Sequence, residues 1–331
     1  MLKRLTRFVI LLLGLASLSH AAWALDGKLI EGSIASKLVP GAVAITVYTP
    51  PGYDPKRAEP YPLIVQLHGG GGSNKNMDRM ANLLDQAIAR GLIPPVVSVM
   101  PSAGRSFYMD YRDGSQKWET FVVTDLLAHM RANYAIVPGR KGTMITGISM
   151  GGMGSLRLAF KYPQVFEAVA GMEPGIEPVL AFDDIKLRDR FWRSQALFEE
   201  IYGKPVDKAY YAANNPANIA KSNPDRLKGL NIYLEAGDQD MFFLHHGTEF
   251  LHRILFDAGV SHEYRLVKGA EHVGPSIGPR FLDAMSFFGR VLNPPQWIDD
   301  QVIGTRRFLD GLKTGAGYPI VPVDPQKLRT Q

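Results

Sequence analysis

Residues 61–68, YPLIVQLH, make an almost unbroken apolar run that stops abruptly at GGGGSN. A strand with one wet face alternates apolar and polar residues, whereas a run without alternation belongs to a strand covered on both sides. The same kind of segment returns in PPVVSVMPS (94–102), GTMITGIS (142–149), FEAVAGMEP (166–174) and LNIYLEAG (230–237). Helical patterns fall between them, at about 76–90, at 117–134, after Ser149 and from 248. A chain of this rhythm predicts an α/β fold with a mostly parallel central sheet flanked by helices. GAVAITVYTP (41–50) alternates and reads as a half-buried strand at its start, and HEYRLVKG followed by PRFLDAMSFFGRVL closes the series. The 331 residues suffice for one large core.

Two segments break the rhythm. Residues 175–228 carry short helix and turn patterns with no clear strand, as expected of a small helical insertion over the sheet. Residues 294–331 read as a C-terminal tail with a helix around Trp297 to Leu312. The main α/β domain is therefore expected over 25–293. Residues 1–24 stand apart: MLKRLTR is basic, FVILLLGLASLS is apolar but short for a membrane span, and Ala22–Ala24 has the A-x-A form of a cleavage site. The expectation is a signal peptide, an exported (periplasmic or secreted) product, and no stable membrane insertion after cleavage. The formal charge is +5, but Lys3, Arg4 and Arg7 lie in that leader with no acid, which leaves +2. So weak a charge gives no argument for nucleic acid. The absence of cysteine excludes a thiol nucleophile and thiolate metal sites.

GISMGG places Ser149 between Gly147 and Gly151, after a strand and before a helix. A turn this tight lifts a serine oxygen above the sheet and aims the next N–H at a developing oxyanion. A serine hydroxyl is a poor nucleophile without a base, so a base and an acid must follow in order. DQD after LNIYLEAG offers Asp238 and Asp240; AEHVGPS after HEYRLVKG offers His272. His129 and His252 fall inside helix patterns, His262 at a strand start, and His245 and His246 at a helix start beside the acid loop. The glycines after Leu67 let backbone approach a substrate oxygen, with His68 bonding inside that loop; no Gly-Lys-Ser/Thr follows, so a phosphate loop is excluded.

The segments VYTPPGYDPKRAEPYPLIVQLHGGGGS, GRSFYMDYRDGSQKWETFVVTDLL, GISMGG, AGDQD and GAEHVGPS together resemble the esterase D family of α/β-hydrolases, over roughly residues 27–292. That family includes S-formylglutathione hydrolases, feruloyl esterases and the antigen 85 mycolyltransferases. The resemblance implies Ser149 as nucleophile, His272 as base, and backbone N–H groups of Met150 and Gly70 (Gly71 adjacent) as oxyanion donors. Its Gly-x-x-Asp spacing favours Asp240 over Asp238 as the acid. Trp118 and Glu119 open the helix under the site and read first as structural; Trp118, Asp238 and His245 are candidate substrate contacts. Met153 departs from the histidine common in formylglutathione hydrolases, and an exported protein does not meet that cytosolic substrate. The implied reaction is hydrolysis of a small-molecule or carbohydrate-linked carboxylic ester through an acyl-enzyme, without metal or organic cofactor. The alternative is acyl transfer to a sugar or polyol hydroxyl. An unperturbed histidine base sets an acid limb near its ordinary pKa.

Overall fold

The computed structural model describes residues 25–320, so the expected leader at 1–24 and the end of the tail lie outside the described residues. Its centre is an eight-stranded sheet of β1 (Lys28–Ala35), β2 (Ala42–Thr49), β3 (Leu63–Leu67), β4 (Val97–Pro101), β5 (Thr143–Ile148), β6 (Ala168–Met172), β7 (Asn231–Gly237) and β8 (Glu263–Val267). They lie in the order β1-β2-β4-β3-β5-β6-β7-β8. β2 runs antiparallel to both β1 and β4; every pairing from β4 through β8 is parallel.

Both faces of the inner strands are buried, and neighbouring residues serve opposite layers. Val65, Leu67, Ile145, Val169 and Leu234 join one apolar cluster, while Ile64, Met144, Ala168 and Tyr233 join the other. The second layer is closed by α1 (Met77–Ala89) and by a late helix, Ile277–Leu292. On the first layer lie α2 (Trp118–Phe121), α3 (Leu127–Asn133) and α4 (Met150–Lys161). The segment expected as one helix over 117–134 is divided by a π-helical turn, Val122–Leu126, between α2 and α3. β2 alternates only at its start: from Ile45 onward every residue is buried, because Tyr48 fills the α1 side and donates to Asp85 at 2.6 Å.

Between β6 and β7 the chain forms α5 (Gln195–Tyr202), α6 (Lys208–Asn214) and α7 (Pro216–Ser222). Each starts at a side-chain cap, Ser194, Asp207 and Asn215 respectively, which satisfies an N–H the helix cannot. Arg193 ties this segment down. It is buried against Glu177, and its guanidinium lies 4.7 Å from the Phe107 ring centroid and 4.3 Å from that of Phe198. After β7 come α8 (Leu244–Asp257), then α9 (Ile277–Leu292), and finally α10 (Asp300–Gly315), of which only Ile303 is buried. Asp299 caps α10, so it begins at Asp300 rather than at Trp297. Among the described residues no helix is long and apolar enough to cross a membrane.

α4 is the helix on which the site depends, and Met150 through Phe160 are all buried. Leu156 packs on Gly171 of β6, where a Cβ would come within 2.6 Å of its side chain. Leu156→Ala is expected to lower unfolding free energy by about 2–5 kcal/mol in urea titrations, the range for emptying a buried leucine site.

Candidate active site

The carboxyl ends of β3, β5, β6, β7 and β8 lie along one edge of the sheet, and the loops that leave them converge there. The β5–α4 turn holds Ser149 at φ 60° and ψ −116°, a conformation rare for a residue with a side chain. Contacts on both sides fix it. The Ser149 N–H donates to the Met172 carbonyl at 2.9 Å, and the Ser149 carbonyl accepts from the N–H groups of Met153 and Gly175, both at 3.0 Å. Glycine flanks it because there is no room for anything else: a Cβ on Gly147 would collide with the Gly151 backbone, and one on Gly151 with the Leu67 carbonyl.

Ser149 and Met150 line a cavity of about 590 Å³. Met150 opens α4, so its N–H has no acceptor within the helix. Gly69–Gly72, also in the lining, leave β3 on the other side. A Cβ at Gly70 or Gly71 would meet no atom within 4 Å, so packing does not demand glycine there. What glycine supplies at those positions is open cavity and exposed backbone. His68 anchors the loop as expected: its Nδ1 lies 2.8 Å from the Gly69 carbonyl, and its Nε2 accepts the Ala103 N–H at 3.0 Å. Those partners require the Nδ1–H tautomer, and burial lowers its pKa, so the ring stays neutral.

His272 lies in the loop after β8 and lines the same cavity. Its Nδ1 sits 2.8 Å from Asp240 Oδ2, in the loop after β7, and 2.9 Å from Glu173 Oε2, in the loop after β6. Asp240 is fixed in turn by the Phe242 N–H, which donates to its Oδ1 at 2.7 Å. Burial alone would push the imidazole pKa down, but the Asp240 and Glu173 carboxylates outweigh it and raise it to about 9. Beneath them Arg280, from α9, donates to Glu235 through Nε (2.6 Å) and Nη2 (2.9 Å), to the Glu271 carbonyl through Nη1 (3.0 Å), and to Glu173. Burial, only partly offset by Arg280, pushes Glu235 up to about 7.

Glu173, Asp240 and His272 are also the one trio among the described residues whose ligand atoms converge within 4.8 Å, as a metal site requires. The positive charge those acids call for is already supplied by Arg280, hydrogen-bonded to Glu173.

The structure thus brings Ser149, Met150, Gly70, His272 and Asp240 to one place. The three candidate substrate contacts do not reach the cavity. Trp118 is buried edge-on against Phe121 and donates to Gln116 at 2.7 Å, so it belongs to the core. Asp238 accepts the Gly269 N–H at 2.6 Å, which latches the loop after β7 to the loop that carries His272. His245 stacks edge-on with His246 in the first turn of α8. From the inserted segment Trp192 lines the cavity, Phe191 stacks on the lining residue Phe242, and the Tyr210 hydroxyl donates to the Asp110 carbonyl. Arg79 and Arg105 are the charged residues of the lining besides His272; among the described residues neither is ion-paired and no carboxylate lines the wall. Glu173 and Arg280 were not foreseen. The available signal was an acid at the carboxyl end of the apolar run AVAGM, where nothing polar is needed for packing.

In comparison with solved structures, a ferulic acid esterase superposes with a TM-score of 0.67 over 81% of this chain and 99% of its own, at 21% identity, which establishes the α/β-hydrolase fold. A profile of the family described as "Putative esterase" matches residues 36–275, and the chain belongs to that family. An esterase of Mycobacterium tuberculosis, Rv1288, is 29% identical over 248 residues, 68% of this chain and 52% of that protein. The chain therefore spans about half the length of this curated relative. The mycolyltransferase Ag85A of Mycobacterium leprae is 36% identical over 89 residues, 24% of this chain and 26% of its own.

The two kinds of glycine make opposite predictions. Gly151→Ala is expected to destabilise the fold, by at least about 2 kcal/mol for a forced overlap, whereas Gly70→Ala should unfold within about 0.5 kcal/mol of the parent. Urea titration of both variants reads the difference.

Proposed function

We propose that the chain is an exported serine esterase that cleaves carboxylic esters through an acyl-enzyme on Ser149. The observation that carries this reading is the placement of His272: Nδ1 is held by buried carboxylate, which leaves Nε2 for a serine on the same cavity wall. In this mechanism Nε2 takes the Oγ proton as Ser149 attacks the carbonyl carbon. Asp240 holds the Nδ1–H tautomer and steadies the imidazolium. The tetrahedral oxyanion is received by the N–H groups of Met150 and Gly70, each worth about 3 kcal/mol in such a hole. The imidazolium then gives its proton to the leaving alcohol, and water, activated by the same histidine, releases the acid. The likeness to Ag85A supports a second fate for the same intermediate, capture by a sugar or polyol hydroxyl in place of water.

The direct test is p-nitrophenyl acetate and butyrate turnover beside Ser149→Ala, which should lose about a thousandfold or more in kcat; wild-type turnover in that variant would sink the reading. The base also has a pH signature. His272 is protonated below its raised pKa and then cannot accept a proton, so kcat/KM should fall as pH drops through about 9. That places the acid limb well above the ordinary histidine value expected from the sequence, because two carboxylates, rather than one, face Nδ1.

Wall charge bears on the substrate. With Arg79 and Arg105 in the lining, neither ion-paired among the described residues, and no carboxylate of those residues in the wall, a cationic ester meets like charge along the wall. Acetylthiocholine is expected to show a kcat/KM below that of its uncharged isostere, 3,3-dimethylbutyl thioacetate, by about tenfold, equivalent to roughly 1.4 kcal/mol. Equal values would show that the arginines do not face the bound ester.

A further inference from the structure

A triad needs one acid, yet two carboxylates reach the same nitrogen of His272. Glu173 is fully buried, and its backbone is held at φ 43° by a hydrogen bond from its N–H to the Glu235 carbonyl at 2.8 Å. Its Oε1 accepts from Arg280 and, at 3.4 Å, from the Gly237 N–H. Its Oε2 is different. That atom is buried and has no hydrogen-bond donor, although it lies 2.9 Å from His272 Nδ1. The single Nδ1 proton is directed at Asp240.

A buried carboxylate oxygen without a donor is costly unless a positive charge stands beside it. In the active form, whose ring is neutral, such a charge appears at this spot when the imidazole takes the Ser149 proton. An interaction that strengthens only then lowers the barrier rather than tightening ground-state binding. Arg280 makes the arrangement durable. It keeps Glu173 in place, clamps Glu235 on the far side, and holds the carbonyl of Glu271 next to His272.

We propose that Glu173 is a second acid for His272, a positioning residue fixed by Arg280 whose Oε2 steadies the imidazolium and takes over the Nδ1–H hydrogen bond when Asp240 is removed. No proton leaves Nδ1 in this step; the bond merely changes acceptor. The inference rests on the reading of Ser149 and His272 given above.

The charged groups around the ring are few. Asp240 and Glu173 face Nδ1, with Arg280 and Glu235 behind them. On its own loop, the Glu271 carboxylate accepts from the N–H groups of His272 and Met241. Asp238 is held by Gly269, and the Arg265–Asp283 pair lies beyond Glu235. Replacing Glu173 by glutamine removes one of the two charges that favour the protonated ring, so the acid limb should move to lower pH.

The experiment is kcat and KM for p-nitrophenyl acetate against pH in wild type, Glu173→Gln, Asp240→Ala and the double variant, with Ser149→Ala as baseline and circular dichroism to check folding. Removing the acid of a one-acid triad costs about ten-thousandfold in kcat. Here Asp240→Ala should stay within about a hundredfold of wild type, since Glu173 inherits the bond, and the double variant should fall by about a further hundredfold. Glu173→Gln should shift the acid limb down by about one pH unit or more with little change in KM. A folded Glu173→Gln with the wild-type profile overturns the proposal, as does Asp240→Ala already at the level of the double variant. If glutamine at 173 prevents folding, Asp240→Ala alone decides, because it leaves Glu173 and Arg280 untouched. A Ser149→Ala protein with full turnover would overturn the esterase reading and the second acid together; an inactive one confines any failure to Glu173.

Discussion

The helix that starts at Met150 lies so close to the strands beneath it that nothing larger than hydrogen fits on Gly147 or Gly151. Everything else about the site follows from that closeness. It forces Ser149 into positive φ, and the hydrogen bonds to Met172, Met153 and Gly175 hold it there. Because β5 is paired in parallel with β3 on one side and β6 on the other, the turn has the glycine loop on its left and Glu173 on its right. A sheet with antiparallel strands at this point would have sent those loops to opposite ends.

The buried charges form a second frame, distinct from the apolar core. Burying ions costs several kcal/mol each unless they are paired and hydrogen-bonded. Arg280 satisfies this with two glutamates and a carbonyl, and Arg157 does the same under α4 with Glu119 and the carbonyls of Phe107 and Tyr108. Neither network adds much to stability by comparison with an apolar replacement of equal volume. What they do is fix direction: Arg157 holds the strained pair Phe107 and Tyr108, both at positive φ, against the helix that follows Ser149.

The parallel core was readable because its strands are continuously apolar and end in glycine or an acid, as in YPLIVQLHGG and LNIYLEAGD. β1 was not readable. KLIEGSIA is an edge strand with only Ile34 buried, so no apolar periodicity marks it, and its strand character comes from pairing with β2. Ser149, His272 and Asp240 were legible from order and spacing; His272 bonds Asp240, and Ser149 lines the same cavity as His272. Trp118, read first as structural and second as a substrate contact, packs in the core against Phe121; an aromatic near a motif has no sequence mark that separates core from pocket. Glu173 stayed hidden for a different reason: its meaning depends on Arg280, 107 residues away, and on a loop after a third strand.

The long excursion between β6 and β7 leaves the sheet just after Glu173 and returns at Asn231, before the strand that leads to Asp240. It contributes Trp192 to the cavity wall but no atom to the cluster around Nδ1. The chain is in effect two parts joined at two points, one that holds the cluster around His272 and one that shapes the cavity wall. Selection could redraw the latter, lengthening or trading its helices, and leave the former untouched. The contact of Arg193 with the Phe107 ring is a part of such a graft that must be matched to the host.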